Sequence, residues 1–241
     1  MFKGKGLGIK HMAIVCLFAG FSVNSAATLM TFNDQATFQT GLGANSSSTL
    51  SFDNVADGTL IVNGSNFQGI DFSFTDSIGS PFDGQVANGF ETTSGSNYLG
   101  FSDPNSNAFL SGDNIAMHFA QTVHAIGLFI IASPGDLFSS DDAVLAAGSG
   151  SAMVNPVPNG VLNDGGEVFF LGLIDTDGFT SAELSTICCD FFEFNVDDIQ
   201  FSTFATASPK KAIAEPATVT LFCFSLLLGL RQRKANTNRG G

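Results

Sequence analysis

Residues 69–75 read GIDFSFT, with Ile70, Phe72 and Phe74 apolar and Asp71, Ser73 and Thr75 polar. Side chains on an extended chain alternate between two faces, so this spacing predicts a strand with one buried and one wet face. The same reading extends outward along the chain. Residues 114–119 (NIAMHF) and 123–132 (VHAIGLFIIA) are two apolar runs separated by Ala120-Gln121-Thr122, the spacing of a hairpin. Further strands are expected at 28–32, 50–55, 59–62, 98–101, 108–110, 143–147, 167–174, 182–187 and 194–204. Asn33 is placed to cap one short helix over DQATFQTGL, which Gly41 and Gly43 would end. Residues 79–97 and 148–166 are rich in Gly, Pro, Ser and Asn and read as loops. Phenylalanine supplies the core: the chain has 26 Phe, one Tyr and no Trp. Many short strands with a single helix predict an all-β fold, a single jelly-roll-like β-sandwich with a short N-terminal helix. There is no internal repeat, which argues against solenoids and propellers.

The two ends read differently from this body. Lys3, Lys5 and Lys10 precede the apolar run 12–21 (MAIVCLFAGF), and Ser25-Ala26-Ala27 supplies the small residues of a cleavage site. This is the pattern of a secretory signal peptide over 1–27, cleaved at Ala26 or Ala27. At the other end, Ala214-Glu215-Pro216 is followed by the apolar stretch 217–230 and then by Arg231, Arg233 and Lys234. Fourteen helical residues rise about 21 Å, short of a hydrocarbon core of about 30 Å, and the basic cluster would stay on the cytoplasmic side. The chain therefore divides into a signal peptide (1–27), a body (28–205), a linker (206–213) and a tail (214–241).

A short motif, an apolar helix and an arginine cluster in that order resemble the PEP-CTERM sorting signal of Gram-negative exported proteins. Glu215-Pro216-Ala217 matches the core of the motif, with Ala214 where the first proline usually stands. The resemblance implies that an inner-membrane exosortase recognises Ala214, Glu215, Pro216, Ala217, Arg231, Arg233 and Lys234. It implies release to, or attachment at, the cell surface or extracellular matrix, in association with exopolysaccharide and biofilm. A plain C-terminal anchor helix is the alternative. The body, too, resembles the exported β-sandwich domains that precede such tails, through TFNDQATFQTGLG, SFDNV, SGSNYLGFSDP, HAIGLFI and FNVDDIQF. Many carbohydrate-binding modules close on a similar strand, with an acidic pair beside a structural Ca²⁺. By that likeness Asp53 and Asp197 or Asp198 would approach one another and bind Ca²⁺.

Charge narrows the function further. All nine Lys and Arg lie before residue 28 or after residue 209, and of 22 Asp and Glu only Glu215 lies outside that span, which leaves 21 in the body. A polyanion with no basic side chain makes no phosphate contacts, so nucleic acid is excluded as a partner. Its carboxylates cannot pair with Lys or Arg and must be solvated, hydrogen-bonded or bound to cations.

Catalytic chemistry has little to work with. His118 and His124 would face each other across the expected hairpin, but no third spaced ligand completes a zinc site. No G-x-S-x-G elbow is present. Asp141-Asp142 or Asp197-Asp198 as glycosidase acids would lack the aromatic platforms of a sugar cleft. Cys188 and Cys189 are adjacent and lack the C-x-x-C spacing; one of them is read as a buried core side chain. The expectation is an exported, non-catalytic surface or matrix protein. A Ca²⁺-dependent carbohydrate-binding module is the alternative, and a secreted hydrolase is the least favoured reading.

Overall fold

A computed structural model describes residues 28–45, 47–102, 107–136, 138–187 and 191–203. The expected signal peptide with Ala26 and Ala27, the cysteines at 188 and 189, and the tail from Ala214 to the basic cluster lie outside these residues. Among the described residues no helix is long and apolar enough to cross a membrane.

The elements are β1 (Leu29–Phe32), α1 (Gln35–Leu42), β2 (Ser48–Leu50), β3 (Leu60–Ile61), β4 (Ser65–Phe67), β5 (Ile70–Thr75), β6 (Pro81–Phe82), β7 (Gly84–Ala87), β8 (Tyr98–Phe101), β9 (Phe109–Leu110), β10 (Asn114–Ala132), β11 (Ala143–Ala147), β12 (Gly150–Met153), β13 (Gly160–Val161), β14 (Glu167–Thr186) and β15 (Glu193–Ser202). All the strands belong to one hydrogen-bonded, antiparallel sheet. Two long strands organise it. The first part of β10 pairs with β5 on one side and with the end of β14 on the other, and β14 continues the order to β11 and β12. The second part of β10, Ala125 to Ala132, pairs with the start of β14 and with β15, which leads on to β2, β8 and β9.

The hairpin expected at 114–132 is therefore absent. Residues 120–122 stay in β10, and the register shifts between His118 and Val123 and between Val123 and Ala125. Such irregularities bend a strand without ending it, so the chain changes direction while still hydrogen-bonded. Runs 167–174 and 182–187 are likewise one strand, β14, rather than two. The loops expected at 79–97 and 148–166 contain β6, β7, β12 and β13, and the strand expected over 50–55 ends at Leu50.

The two parts of the sheet face each other across a phenylalanine core. Phe74 of β5 stacks on Phe109 of β9 at 6.0 Å, and Phe119 of β10 meets Phe201 of β15 at 5.5 Å. Ile70, Phe72 and Phe74 are fully buried, as the alternation in 69–75 predicts. Helix α1 covers the opposite face of the second part, where Phe38 and Leu42 pack on Ala125, Phe129, Phe170 and Ile174. Gly127 and Gly172 are cross-strand partners beneath Phe38. A Cβ at Gly172 would lie 2.8 Å from Phe38 Cδ2, so the helix rests on bare backbone. Its cap is Asp34, whose carboxylate accepts the Thr37 N–H at 2.8 Å. Asn33, expected in that role, instead donates its Nδ2 to the Met153 carbonyl at 2.6 Å.

Candidate functional site

Asp53, Asp197 and Asp198, brought together in the sequence reading, meet under the loop 92–97. Pairing of β2 with β15, Leu50 opposite Ile199, carries the chain to the spot. A turn closed by the Val55 N–H on the Phe52 carbonyl, 3.0 Å, then points Asp53 at the loop. Neighbouring residues of a regular strand face opposite sides. Asp197 and Asp198 nevertheless both reach this loop, because Asp198 takes a φ of 47° at an irregularity in the β10–β15 register.

The loop satisfies the carboxylates with backbone and hydroxyl donors. Asp53 Oδ1 accepts the N–H groups of Ser96 at 2.8 Å and Asn97 at 3.3 Å, and its Oδ2 accepts the Ser51 hydroxyl at 2.7 Å. Asp197 Oδ2 accepts the Thr93 N–H at 3.0 Å, the Thr93 hydroxyl at 2.7 Å and the Ser94 N–H at 3.3 Å. Its Oδ1 accepts the Asp198 N–H at 2.8 Å. The Ser94 hydroxyl stands between Asp53 Oδ2 at 3.2 Å and Asp198 Oδ1 at 3.0 Å. Asn97 ties the far end of the loop to the Val55 carbonyl through Nδ2, 2.6 Å. Gly95, with φ of 56°, lies so close to Asp53 that a Cβ there would overlap its carboxyl group.

Burial and donors set the protonation of the three acids. Asp197 is fully buried, and burial pushes its carboxyl up to about 6 against the loop's hydrogen bonds. Asp198 is raised as well, first by burial and then by the negative charge of Asp53. Burial raises Asp53 too, but the donors from Ser51, Ser96, Asn97 and Ser94 together hold it below the usual carboxylate range. Among the described residues no three His, Cys, Asp or Glu side chains are by themselves arranged to hold a metal ion. The oxygens that link these acids are hydroxyls.

Sequence reasoning named the three acids and missed the loop that holds them. Its signal was the run TTSGSN at 92–97, which carries hydroxyls at four of six positions. It also missed Asn195, which is 1% exposed with neither side-chain polar atom partnered.

The histidines do not form the pair expected across a hairpin. Both lie on β10. His118 sits opposite Asp71 on β5 and Ser181 on β14, whereas His124 Nδ1 contacts the Asp175 carbonyl at 3.2 Å. Asp71, His118 and Ser181 thus share one row of the outer face, beside a hollow of about 460 Å³ lined by small residues and Glu183. Asp71 accepts from Asn66 Nδ2 at 2.7 Å, and among the described residues no hydrogen bond joins it to His118 or joins His118 to Ser181. A working triad requires both links.

No protein-family model matches the chain, and no curated protein matches it. Among solved structures, the K2 cleaved adhesin domain of Lys-gingipain (Kgp) is similar over 65% of this chain and 99% of its own, at 15% identity and a TM-score of 0.42. The K1 cleaved adhesin domain of Lys-gingipain (Kgp) from Porphyromonas gingivalis W83 is similar over 66% of this chain and 99% of its own, at 9% identity and a TM-score of 0.32. Similarity at this level carries no function across to this chain.

Proposed function

We propose that this chain is an exported, non-catalytic component of the cell surface or extracellular matrix. Its body is a jelly-roll-like β-sandwich, and an exosortase-type tail delivers it. The observation that carries the reading is the division of charge: every Lys and Arg lies in the two ends, and the body between residues 28 and 209 has none. Three basic residues lie in the signal peptide and four after the apolar stretch, where export and a membrane stop would use them, and Lys210 and Lys211 lie in the linker. The uncompensated acids repel one another across the surface, which suits a protein that must stay soluble and apart in salty surroundings. Asp34 caps the helix at the surface, and Asp53 and Asp197, further in, fasten the loop 92–97. That use is structural.

The test is expression of the full chain in a Gram-negative host that carries an exosortase, followed by fractionation and mass determination of both termini. The expected mature protein begins near residue 28 and has lost its basic end. Pro216→Ala together with Glu215→Ala should leave it uncut in the inner membrane. A full-length chain with residues 1–27 intact in the cytoplasm would overturn export. Removal of the basic end at the wild-type rate in the double variant would overturn sorting.

A further inference from the structure

Strand β1 is fastened at its start by a side chain of β14. Leu29 lies opposite Asp175, and Thr28, just ahead of it, meets Thr176. The Thr28 carbonyl accepts the Thr176 N–H at 3.3 Å, while the Thr28 N–H donates to the Thr176 hydroxyl oxygen at 2.9 Å. A hydroxyl can rotate to present a lone pair to an amide or to an ammonium group alike.

Two acids flank that hydroxyl along β14. Asp175 is 2% exposed, and its Oδ1 accepts the Asp177 N–H at 2.9 Å. Its Oδ2 lies against Gly148, where a Cβ would come within 2.6 Å of it. His124 Nδ1 contacts the Asp175 carbonyl. No Lys or Arg between residues 28 and 209 can pair with either acid. A carboxylate drawn out of water is stabilised by a nearby positive charge.

The sequence supplies such a charge independently. Ser25-Ala26-Ala27 is the expected cleavage site. When water splits the Ala27–Thr28 peptide bond, its oxygen joins the Ala27 carboxylate and both its hydrogens end on the Thr28 nitrogen, which becomes an ammonium group. We propose that this α-ammonium binds at Thr176 Oγ1 beside Asp175 and Asp177, so that removal of residues 1–27 locks β1 onto β14. The cut itself is that of the export reading, on which this binding rests. The new charge is the only fixed positive one between residues 28 and 209. It stands about one strand spacing, roughly 5 Å, from the backbone of the acidic strand, at a half-buried residue where water screens it less than at the surface. Much of the fold hangs on that strand: Met30 and Phe32 pack against the core beneath α1, and Leu29 occupies the space that a Cβ at Gly150 would need. Before the cut the same nitrogen is a neutral amide with one hydrogen, so the precursor keeps the hydrogen bond and lacks the charge. The body thus reaches full stability only once residues 1–27 are gone. A cut after Ala26 would leave the Thr28 nitrogen an amide, so the binding also selects the bond after Ala27.

The experiment replaces residues 1–27 of the full chain, held in mild detergent, by a leader that a protease removes without leaving a residue. Circular dichroism follows the melting temperature before and after the cut, which should raise it by about 3 °C or more. A second leader that leaves Ser25-Ala26-Ala27 ahead of Thr28 moves the charge three residues away and should give no gain. Thr176→Val should lose most of the gain seen with the first leader. No gain from the first leader, equal gains from both, or an undiminished gain in folded Thr176→Val would each overturn the proposal. The cut is made in vitro, so these results are read independently of export; a chain that keeps residues 1–27 in the Gram-negative host would count against the export reading alone.

Discussion

Replacing Gly95 by alanine tests the loop clamp most sharply. Two costs arise, and the structure separates them. The backbone at Gly95 has φ of 56°, and an L residue held in the left-handed region costs about 1 kcal/mol. The added Cβ also overlaps the Asp53 carboxyl group, which must swing away and release the N–H groups of Ser96 and Asn97. Hydrogen bonds to a charged acceptor contribute about 1.5–3 kcal/mol each, and the exposure of Ser96 favours the lower end. The expected loss is roughly 4 kcal/mol, a large share of the stability of an ordinary domain. Gly79 provides the control, because its φ is 81° and an added Cβ meets nothing within 4 Å. Gly79→Ala should cost about 1 kcal/mol, from the backbone alone. Urea unfolding of both variants and the parent, with a shared slope, measures the difference. If the two variants lie within 0.5 kcal/mol of each other, the Asp53 clamp adds nothing and the reasoning fails.

Other outcomes follow from the same structure. Asp113 and Asp197 are buried and raised from the ordinary 3.8 to about 6, so between those values the native state keeps protons that the unfolded chain has released. The stability that each group contributes should therefore be lost as pH rises from about 4 to 6, on the order of 1 kcal/mol for each after solvent screening, and Asp113→Asn should remove its share of the slope in urea unfolding followed across that range. Phe38→Ala empties the space between α1 and the Gly127–Gly172 pair, where the ring meets Phe32 at 5.6 Å and Phe170 at 5.4 Å. Its expected cost is about 3–5 kcal/mol by urea unfolding, and a loss below 1 kcal/mol would show that the helix is not anchored there. Sodium chloride should raise the melting temperature between 0.02 and 0.5 M by screening repulsion among the 21 body acids, and a flat response would contradict it.

Local pattern was legible wherever the cause was local. Ile70, Phe72 and Phe74 alternate because one face of β5 is dry, and that rule needs no knowledge of the partner strands. The helix was visible through its spacing and its terminal glycines, but its cap moved by one residue. Asn33 and Asp34 are both good caps, and a distant carbonyl, that of Met153, took Asn33 away. Residues 120–122 (AQT) looked like a turn, and 175–181 (DTDGFTS) fell between two expected strands. Both stretches remain in strands, the first with its side chains exposed and the second with Asp175 and Phe179 buried, and only the hydrogen-bond partners distinguish such a bend from a turn.

Composition and local periodicity therefore determined the acidic, Phe-cored and all-β character of the body and the contrast with its basic ends. Those properties are sums over residues or regularities of one short segment. Tertiary structure decided that β10 and β14 run unbroken through both parts of the sheet. It also decided that Thr93 and Ser94 stand between Asp53, Asp197 and Asp198, and that Asn195 is sealed in with no partner. The residues of that cluster lie up to 145 positions apart, from 53 to 198. Their meeting depends on strand register and on one positive φ at Asp198, neither of which a local pattern encodes.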